Sequence, residues 1–310
     1  MEKRRLYVAI GEWLEDHKKN SVKTLTYDRL IITYKLMLRY GISEYYVDNI
    51  NSTDMQRYLN SLVTDGYSIS TIKKQFNLLT AYWKWAMSQG LISTPVYLGV
   101  NLPSEESVKS PKTDIQVYTH QEQSKLMRCL RTLKHDQYAA VAMMLETGLR
   151  IGEVLALDWN DILWTRRAVK VHRTLIRMSS EATTFIQESP KSKTSRRTIP
   201  LSETAIEILM QLQAKRGISD GLIFAKPDDP NMPYSYSSIE FHIRRLCKDL
   251  DISYKGLHAF RHTFATNCYE RGCDVKILSK LLGHADVSIT YNIYIHLYGD
   301  ALEEMRKVIG

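Results

Sequence analysis

Apolar residues recur at helical spacing through residues 1–95. Leu6, Ile10, Trp13 and Leu14 share one face of a first helix, and Leu30, Tyr34, Met37 and Leu38 share one face of a second. Gly41 stands where the second should stop. Ser52 or Thr53 is placed to cap a third helix carrying Met55, Leu59 and Leu62, which Gly66 ends. Ser70 is placed to cap a fourth, with Ile72, Phe76, Leu79, Trp83 and Met87 along one side and Gly90 after it. Four helices with short connections predict a compact bundle.

Residues 96–117 break the rhythm, with Gly99, Pro103, Ser104, Ser107, Ser110 and Pro111 among interleaved charges, and read as a linker. A second domain is expected over residues 118–296. It opens on Thr119-His120-Gln121-Glu122, a capping box before an apolar-periodic helix. A helix through Ala139–Leu145 follows. Thr147-Gly148 interrupts the chain, and a short helix restarts near Arg150. Val169–Arg177, Thr183–Gln187 and Arg197–Leu201 alternate as strands do, with a basic hairpin around residues 190–196. Helices are predicted again at Ser202–Lys215, Ser237–Leu250, His258–Arg271, Val275–Leu282 and Ser288–His296. The fold class is therefore mainly α with a small antiparallel β-sheet.

Composition narrows the function. Among the 310 residues, 42 Lys and Arg against 34 Asp and Glu leave a net charge of +8, which favours polyanionic partners. The excess concentrates between Arg166 and Arg197. There Arg166, Arg167, Lys170, Arg173, Arg177, Lys191, Lys193, Arg196 and Arg197 are opposed only by Glu181 and Glu188. In the helical region Lys18, Lys19 and Lys23 sit at one helix junction, and Lys73 and Lys74 sit early in the fourth helix. With Arg173, Lys191, Arg196 and Arg197 these are the candidate DNA contacts. No apolar run approaches the ~20 residues of a membrane span. No apolar stretch follows the basic N-terminus as in a signal peptide. Cys129, Cys247, Cys268 and Cys273 form no C-x-x-C pair and read as reduced thiols, so a cytoplasmic location is expected.

Six residues suit one chemistry: Arg150, Lys193, His258, Arg261, His284 and Tyr294. Transfer at a phosphodiester needs charge stabilised on the non-bridging oxygens, a nucleophile, and a proton for the leaving oxygen. Arginine answers the first need with a planar fork that stays charged. His258 and Arg261 are i and i+3, hence on one helix face. Lys193, in the hairpin, is suited to protonating a departing 5′ oxygen. Tyr294, with an ordinary pKa near ~10, is suited to nucleophilic attack once cations favour its phenolate, with His258 as proton acceptor. His258 and His262 are also spaced for a metal, but no H-E-x-x-H pattern and no third ligand accompany them. No metal or cofactor is expected.

Taken in order, these segments resemble the tyrosine recombinase (phage integrase) family. Its T-G-x-R-x-x-E segment is matched at Thr147–Glu153, its hairpin lysine at Lys193 in Lys193-Thr194, and its H-x-x-R at His258 and Arg261. Its L-G-H is matched at Leu282-Gly283-His284 and its tyrosine before x-His at Tyr294-Ile295-His296. The chain is most similar to phage and conjugative-transposon integrases of Gram-positive bacteria. The resemblance implies an N-terminal helical (SAM-like) core-site DNA-binding domain over residues 1–95 and an α+β catalytic domain over 118–296. It also implies a tail over 297–310 that packs on a neighbouring protomer. The implied activity is site-specific integration or excision of a mobile element, through a 3′-phosphotyrosine and a Holliday junction. Four protomers would act on double-stranded DNA, each clamping it between two domains, with an accessory excision or DNA-bending protein as a possible further partner and no membrane.

Lys191 fits the hairpin position as well as Lys193 does, and Tyr291 and Tyr298 flank Tyr294. Spacing from His284 and the following x-His favour Tyr294. Many integrases carry an N-terminal arm-binding domain for which this chain has no room, so a simpler recombinase or a shortened chain is expected. Competing readings are a type IB-like topoisomerase and a catalytically silent DNA-binding protein on the same scaffold. Presence of all six residue types argues against the latter. Holliday-junction formation at a defined site would separate recombinase from topoisomerase.

Overall fold

A computed structural model describes residues 4–104, 108, 115–178, 183–188, 196–284, 286–288, 290 and 291. Lys191, Lys193, Tyr294 and residues 297–310 lie outside the described residues. The chain divides into two compact units, residues 1–112 with 177–183, and residues 113–176 with 184–310. No helix among the described residues is long and apolar enough to cross a membrane.

The first unit is built from α1 (Leu6–Trp13), continued by a π-helical turn at Leu14–Lys18, then α2 (Thr24–Met37), α3 (Ser52–Thr64) and α4 (Ile69–Ser88). Most of the periodic apolar positions meet in one core: Leu6, Ile10, Trp13, Leu14, Met37, Met55, Leu59, Leu62, Ile72, Leu79 and Trp83 are buried, Leu30, Tyr34 and Phe76 pack against them partly buried, and Leu38, expected on the same face, is instead exposed just beyond the end of α2. The caps differ from expectation. Asn51, rather than Ser52 or Thr53, caps α3: its Oδ1 accepts from the Asp54 amide, and the Asp54 carboxylate accepts from the Asn51 amide, both at 3.1 Å. Ser68, rather than Ser70, caps α4 by accepting from the Thr71 amide. Part of the expected linker is anchored instead, since Val96 and Val108 are buried in this core.

The second unit opens with α5 (His120–Leu130), capped reciprocally by Thr119 and Glu122 as expected. At its centre lies α6 (Asp136–Thr147), on which α5, α8 (Glu203–Arg216), α9 (Tyr236–Asp249) and α10 (Leu257–Glu270) pack. Residues Ala139–Leu145 are buried on every side, which explains a helix with little amphipathic pattern. Next come α7 (Ile151–Leu155) and the strands β1 (Ile162–Leu163), β2 (Ala168–Val171), β3 (Arg173–Met178), β4 (Thr183–Glu188) and β5 (Arg197–Pro200), with the end of β3 and the first residue of β4 belonging to the first unit. A hairpin of β6 (Ala225–Lys226) and β7 (Asp229–Pro233) precedes α9, and α11 (Val275–Leu282) closes the described elements.

Three small sheets replace the single expected sheet, ordered β1-β2-β5, β3-β4 and β6-β7. Val171 pairs with Arg197 and Ala168 with Pro200 in antiparallel register. The predicted strand Val169–Arg177 is broken at His172 without glycine or proline. There His172 Nε2 lies 2.8 Å from Asp161 Oδ1, and Arg173 donates to Asp161 Oδ2 at 3.0 Å. One buried carboxylate thus holds two consecutive side chains, and the chain passes from one sheet to the next.

Candidate active site

Two helix ends build the site. Gly148 terminates α6 and Gly283 terminates α11, both in left-handed backbone at φ +66° and +68°. A Cβ on Gly148 would lie 2.3 Å from the Phe264 ring and 2.9 Å from Leu282. Glycine there lets the end of α6 press against α10 and α11, which brings Arg150, Arg261 and His284 together.

The terminal carbonyls of α11 are all satisfied, in two ways. The amides of His284 and Gly283 take the Ser279 and Lys280 carbonyls, each at 3.1 Å. The next three go to arginines. Arg197 Nε donates to Leu281 O at 2.6 Å, Arg261 Nη2 to Leu282 O at 2.8 Å, and Arg150 Nη2 to Gly283 O at 3.3 Å. Arg261 Nη1 also donates to Gly148 O at 2.8 Å, so this one side chain, 3% exposed, joins both helix ends. Carbonyls at a helix C-terminus carry partial negative charge and favour cations.

Glu153 anchors two of these arginines, Arg150 and Arg197. Its Oε1 accepts from Arg150 Nη1 at 3.1 Å and Arg197 Nη1 at 2.9 Å. Its Oε2 accepts from the Arg150 amide and Arg197 Nη2, each at 2.9 Å. Burial alone would raise its pKa. The Arg197 hydrogen bonds and charge, joined by Arg150, outweigh that and hold it below the usual carboxylate range.

The histidines are held neutral. Burial pulls the His284 pKa down to about 4, reinforced by Arg261 and Arg150. His284 Nε2 lies 2.8 Å from Arg261 Nη2, and Nδ1 lies 2.7 Å from Thr290 Oγ1. Because a guanidinium only donates, Nε2 is the acceptor, and the Nδ1 hydrogen points to Thr290. His258 is lowered by burial, then by Arg261 and Arg150, and so is available as a proton acceptor near neutral pH. His262, its neighbour at 5.9 Å between ring centroids, is pulled down to about 4 by burial and by His258. Burial lowers Arg261 to about 9, with Arg150 adding to the effect, which leaves it cationic at pH 7. Among the described residues no group of three or more His, Cys, Asp or Glu is arranged to hold a metal ion.

Four of the six candidate catalytic residues, Arg150, His258, Arg261 and His284, therefore lie in one region. Lys193 and Tyr294 fall outside the described residues. Of the candidate DNA contacts, Lys23, Lys73 and Lys74 are exposed. Lys18 lies over the Trp13 ring, and Lys19 pairs with Glu15. Arg196 pairs with Glu188 at 2.6 Å, and Arg173 pairs with Asp161 at 3.0 Å and Asp158 at 3.8 Å. Lys191 is not described. Arg197 requires correction: its guanidinium is bound bidentately to the buried Glu153 carboxylate and through Nε to the Leu281 carbonyl, so its charge is matched within the protein rather than left for a DNA phosphate. Sequence reasoning missed this role because a basic run does not show which cation turns inward. It also missed Thr290, which no motif marks.

With this geometry in place, comparison with known proteins gives a consistent result. The profile of the phage integrase family matches residues 116–300. The chain belongs to the phage integrase family. It is a tyrosine recombinase, an enzyme of site-specific recombination that cleaves and rejoins DNA. It is 28% identical to a XerC-like tyrosine recombinase from Caldanaerobacter subterraneus subsp. tengcongensis, over 94% of this chain and 80% of that protein. In fold it resembles the Tn1549 transposon integrase solved with transposon right-end DNA. The TM-score is 0.80, with 21% identity, 99% of this chain and 100% of the other covered. It also resembles a lambda integrase tetramer bound to a Holliday junction, with TM-score 0.69 and 18% identity over 94% of this chain and 78% of the other.

Proposed function

We propose that this recombinase integrates or excises a mobile element through a 3′-phosphotyrosine on Tyr294. The observation that best supports the reading is the convergence of Arg150, Arg261 and His284 on the end of α11. Arg150 and Arg261 neutralise the non-bridging oxygens of the scissile phosphate. Tyr294 Oη attacks phosphorus as its proton passes to His258. The bond from phosphorus to the 5′ oxygen breaks, and Lys193 supplies the proton that oxygen needs. The product is a 3′-phosphotyrosine and a free 5′ hydroxyl. Attack by the 5′ hydroxyl of a partner strand reverses each step and restores the phosphodiester, so no external energy source enters.

Strand exchange follows as two such rounds through a Holliday junction, with four protomers on two sites, as the tetrameric lambda integrase complex suggests. Residues 297–310 join neighbouring protomers. Lys18, Lys19, Lys23, Lys73, Lys74, Lys191 and Arg196 contact phosphates, whereas Arg173 stays with the buried Asp161. Those now paired with carboxylates exchange them for the DNA backbone. The reaction takes place in the cytoplasm, with an accessory excision or DNA-bending protein setting its direction. Covalent trapping tests the reading. The protein is incubated in EDTA with a nicked duplex spanning the end of its element, beside Tyr294→Phe. The expected result is a denaturant-stable protein–DNA band that only the variant lacks. Binding without any adduct from the unaltered protein would refute it.

A further inference from the structure

We propose that Arg197 is a positioning residue for the phosphate pocket, acting through Glu153 on Arg150. This deepens the recombinase reading and rests on it. Arg197 and Glu153 are both nearly solvent-free, with side chains 8% and 7% exposed. Their two parallel bonds of 2.9 Å form a bidentate pair, the geometry only a guanidinium provides. Each Glu153 oxygen serves one donor from Arg197 and one from Arg150. The carboxylate is therefore shared between a buried cation and a more exposed one, Arg150 being 38% exposed.

Without Arg197, Arg150 would be the remaining partner of a buried carboxylate. It would be drawn inward, away from an approaching phosphate. The third contact points the same way. Arg197 Nε holds the Leu281 carbonyl, two residues before Gly283, whose own carbonyl receives Arg150 Nη2. Arg197 thus fixes both the carboxylate and the helix end that aim Arg150. It opens β5, directly after the segment carrying Lys191 and Lys193 in sequence, so two consequences of its loss have to be told apart. Lysine cannot replace it, since one ammonium does not span both carboxylate oxygens and the carbonyl in a planar fork.

Single-turnover cleavage of the nicked duplex at saturating protein tests the proposal, beside gel-shift binding and thermal melting. Arg197→Ala and Arg197→Lys should both cleave about 10²-fold more slowly, the scale of a 1 Å misplacement, with affinity for the duplex unchanged. Should the alanine variant not fold, the lysine variant carries the comparison, because it keeps the cation. A second duplex has sulfur in place of the bridging 5′ oxygen, so that the thiolate leaves without a proton. It should restore Lys193→Ala but neither Arg197 variant. Rescue of the Arg197 variants by sulfur would overturn the proposal by placing the effect on the leaving-group proton. Cleavage at the unaltered rate would also overturn it. So would weaker binding with a flatter salt dependence and full rate at saturation, the signature of a phosphate contact. The recombinase reading is judged separately, by the adduct of the unaltered protein and its loss in Tyr294→Phe.

Discussion

Replacing Gly148 with alanine tests whether the site depends on the close approach of two helix ends. Two terms add. A left-handed residue with a Cβ costs about 1–2 kcal/mol. Forcing a methyl to 2.3 Å from the Phe264 ring and 2.9 Å from Leu282 is overpacking, which costs about 1–3 kcal/mol. Together the expected loss is about 2–5 kcal/mol. At about 2–4 °C per kcal/mol for a unit of this size, the melting temperature should fall by roughly 4–20 °C. Gly217 supplies the control. It ends α8 at φ +67°, yet a Cβ there meets nothing within 4 Å, so Gly217→Ala should show the backbone term alone. The difference between the two variants isolates the packing term. Because Gly148 O holds Arg261 Nη1, cleavage should also slow, by about 10²-fold for a displacement near 1 Å. Gly217→Ala should cleave normally. Thermal melts and single-turnover trapping of both variants make the comparison. If they melt together and cleave at the unaltered rate, the close-approach argument is wrong.

Other consequences are as direct. Arg150→Ala and Arg261→Ala should each lower cleavage by about 10²–10³-fold, the usual loss of one charge-stabilising donor. Only Arg261→Ala leaves the Gly148 and Leu282 carbonyls without their donors, at about 1–3 kcal/mol for each buried group. Equal melting of the two variants would refute its structural role. The histidines set a pH dependence. His262 and His284 have folded pKa values pulled down to about 4, whereas the unfolded chain binds those protons near ~6.5. Their stabilising contribution is therefore complete above about pH 6.5 and is lost as the pH falls towards about 4. Melts at several pH values should show His262→Gln less sensitive than the unaltered chain across that window, and an unchanged slope would count against the assignment.

Much of the fold is legible because one-sided burial writes itself into the sequence. Leu6, Ile10, Trp13 and Leu14 are spaced for a single face, and that face is the buried one. Boundaries are less legible. Asn51, Ser52 and Thr53 are all competent caps, and Thr53-x-x-Gln56 looks as much like a reciprocal box as Asn51-x-x-Asp54 does. The break at His172 is not written locally at all, since it depends on Asp161 from another segment. The catalytic candidates stand out because phosphoryl transfer demands particular side-chain types. Arg197 does not. A sequence cannot tell a cation meant for phosphate from one that meets a carboxylate 44 positions away.

That ambiguity has a physical origin in what a phosphate site must be before DNA arrives. Arg150, Arg197 and Arg261 are gathered around one helix end, where their like charges repel one another. Left alone, such a cluster would spread into solvent. Here it is offset by Glu153 and by the partial negative charge of helix termini, with four carbonyls on α6 and α11 receiving a guanidinium donor. Carbonyl dipoles are fixed and carry no net charge. They can hold cations in place without neutralising them as a further carboxylate would. Arg150 shares the Glu153 carboxylate with Arg197 and is the more exposed of the two, so it keeps the greater freedom to turn to a phosphate.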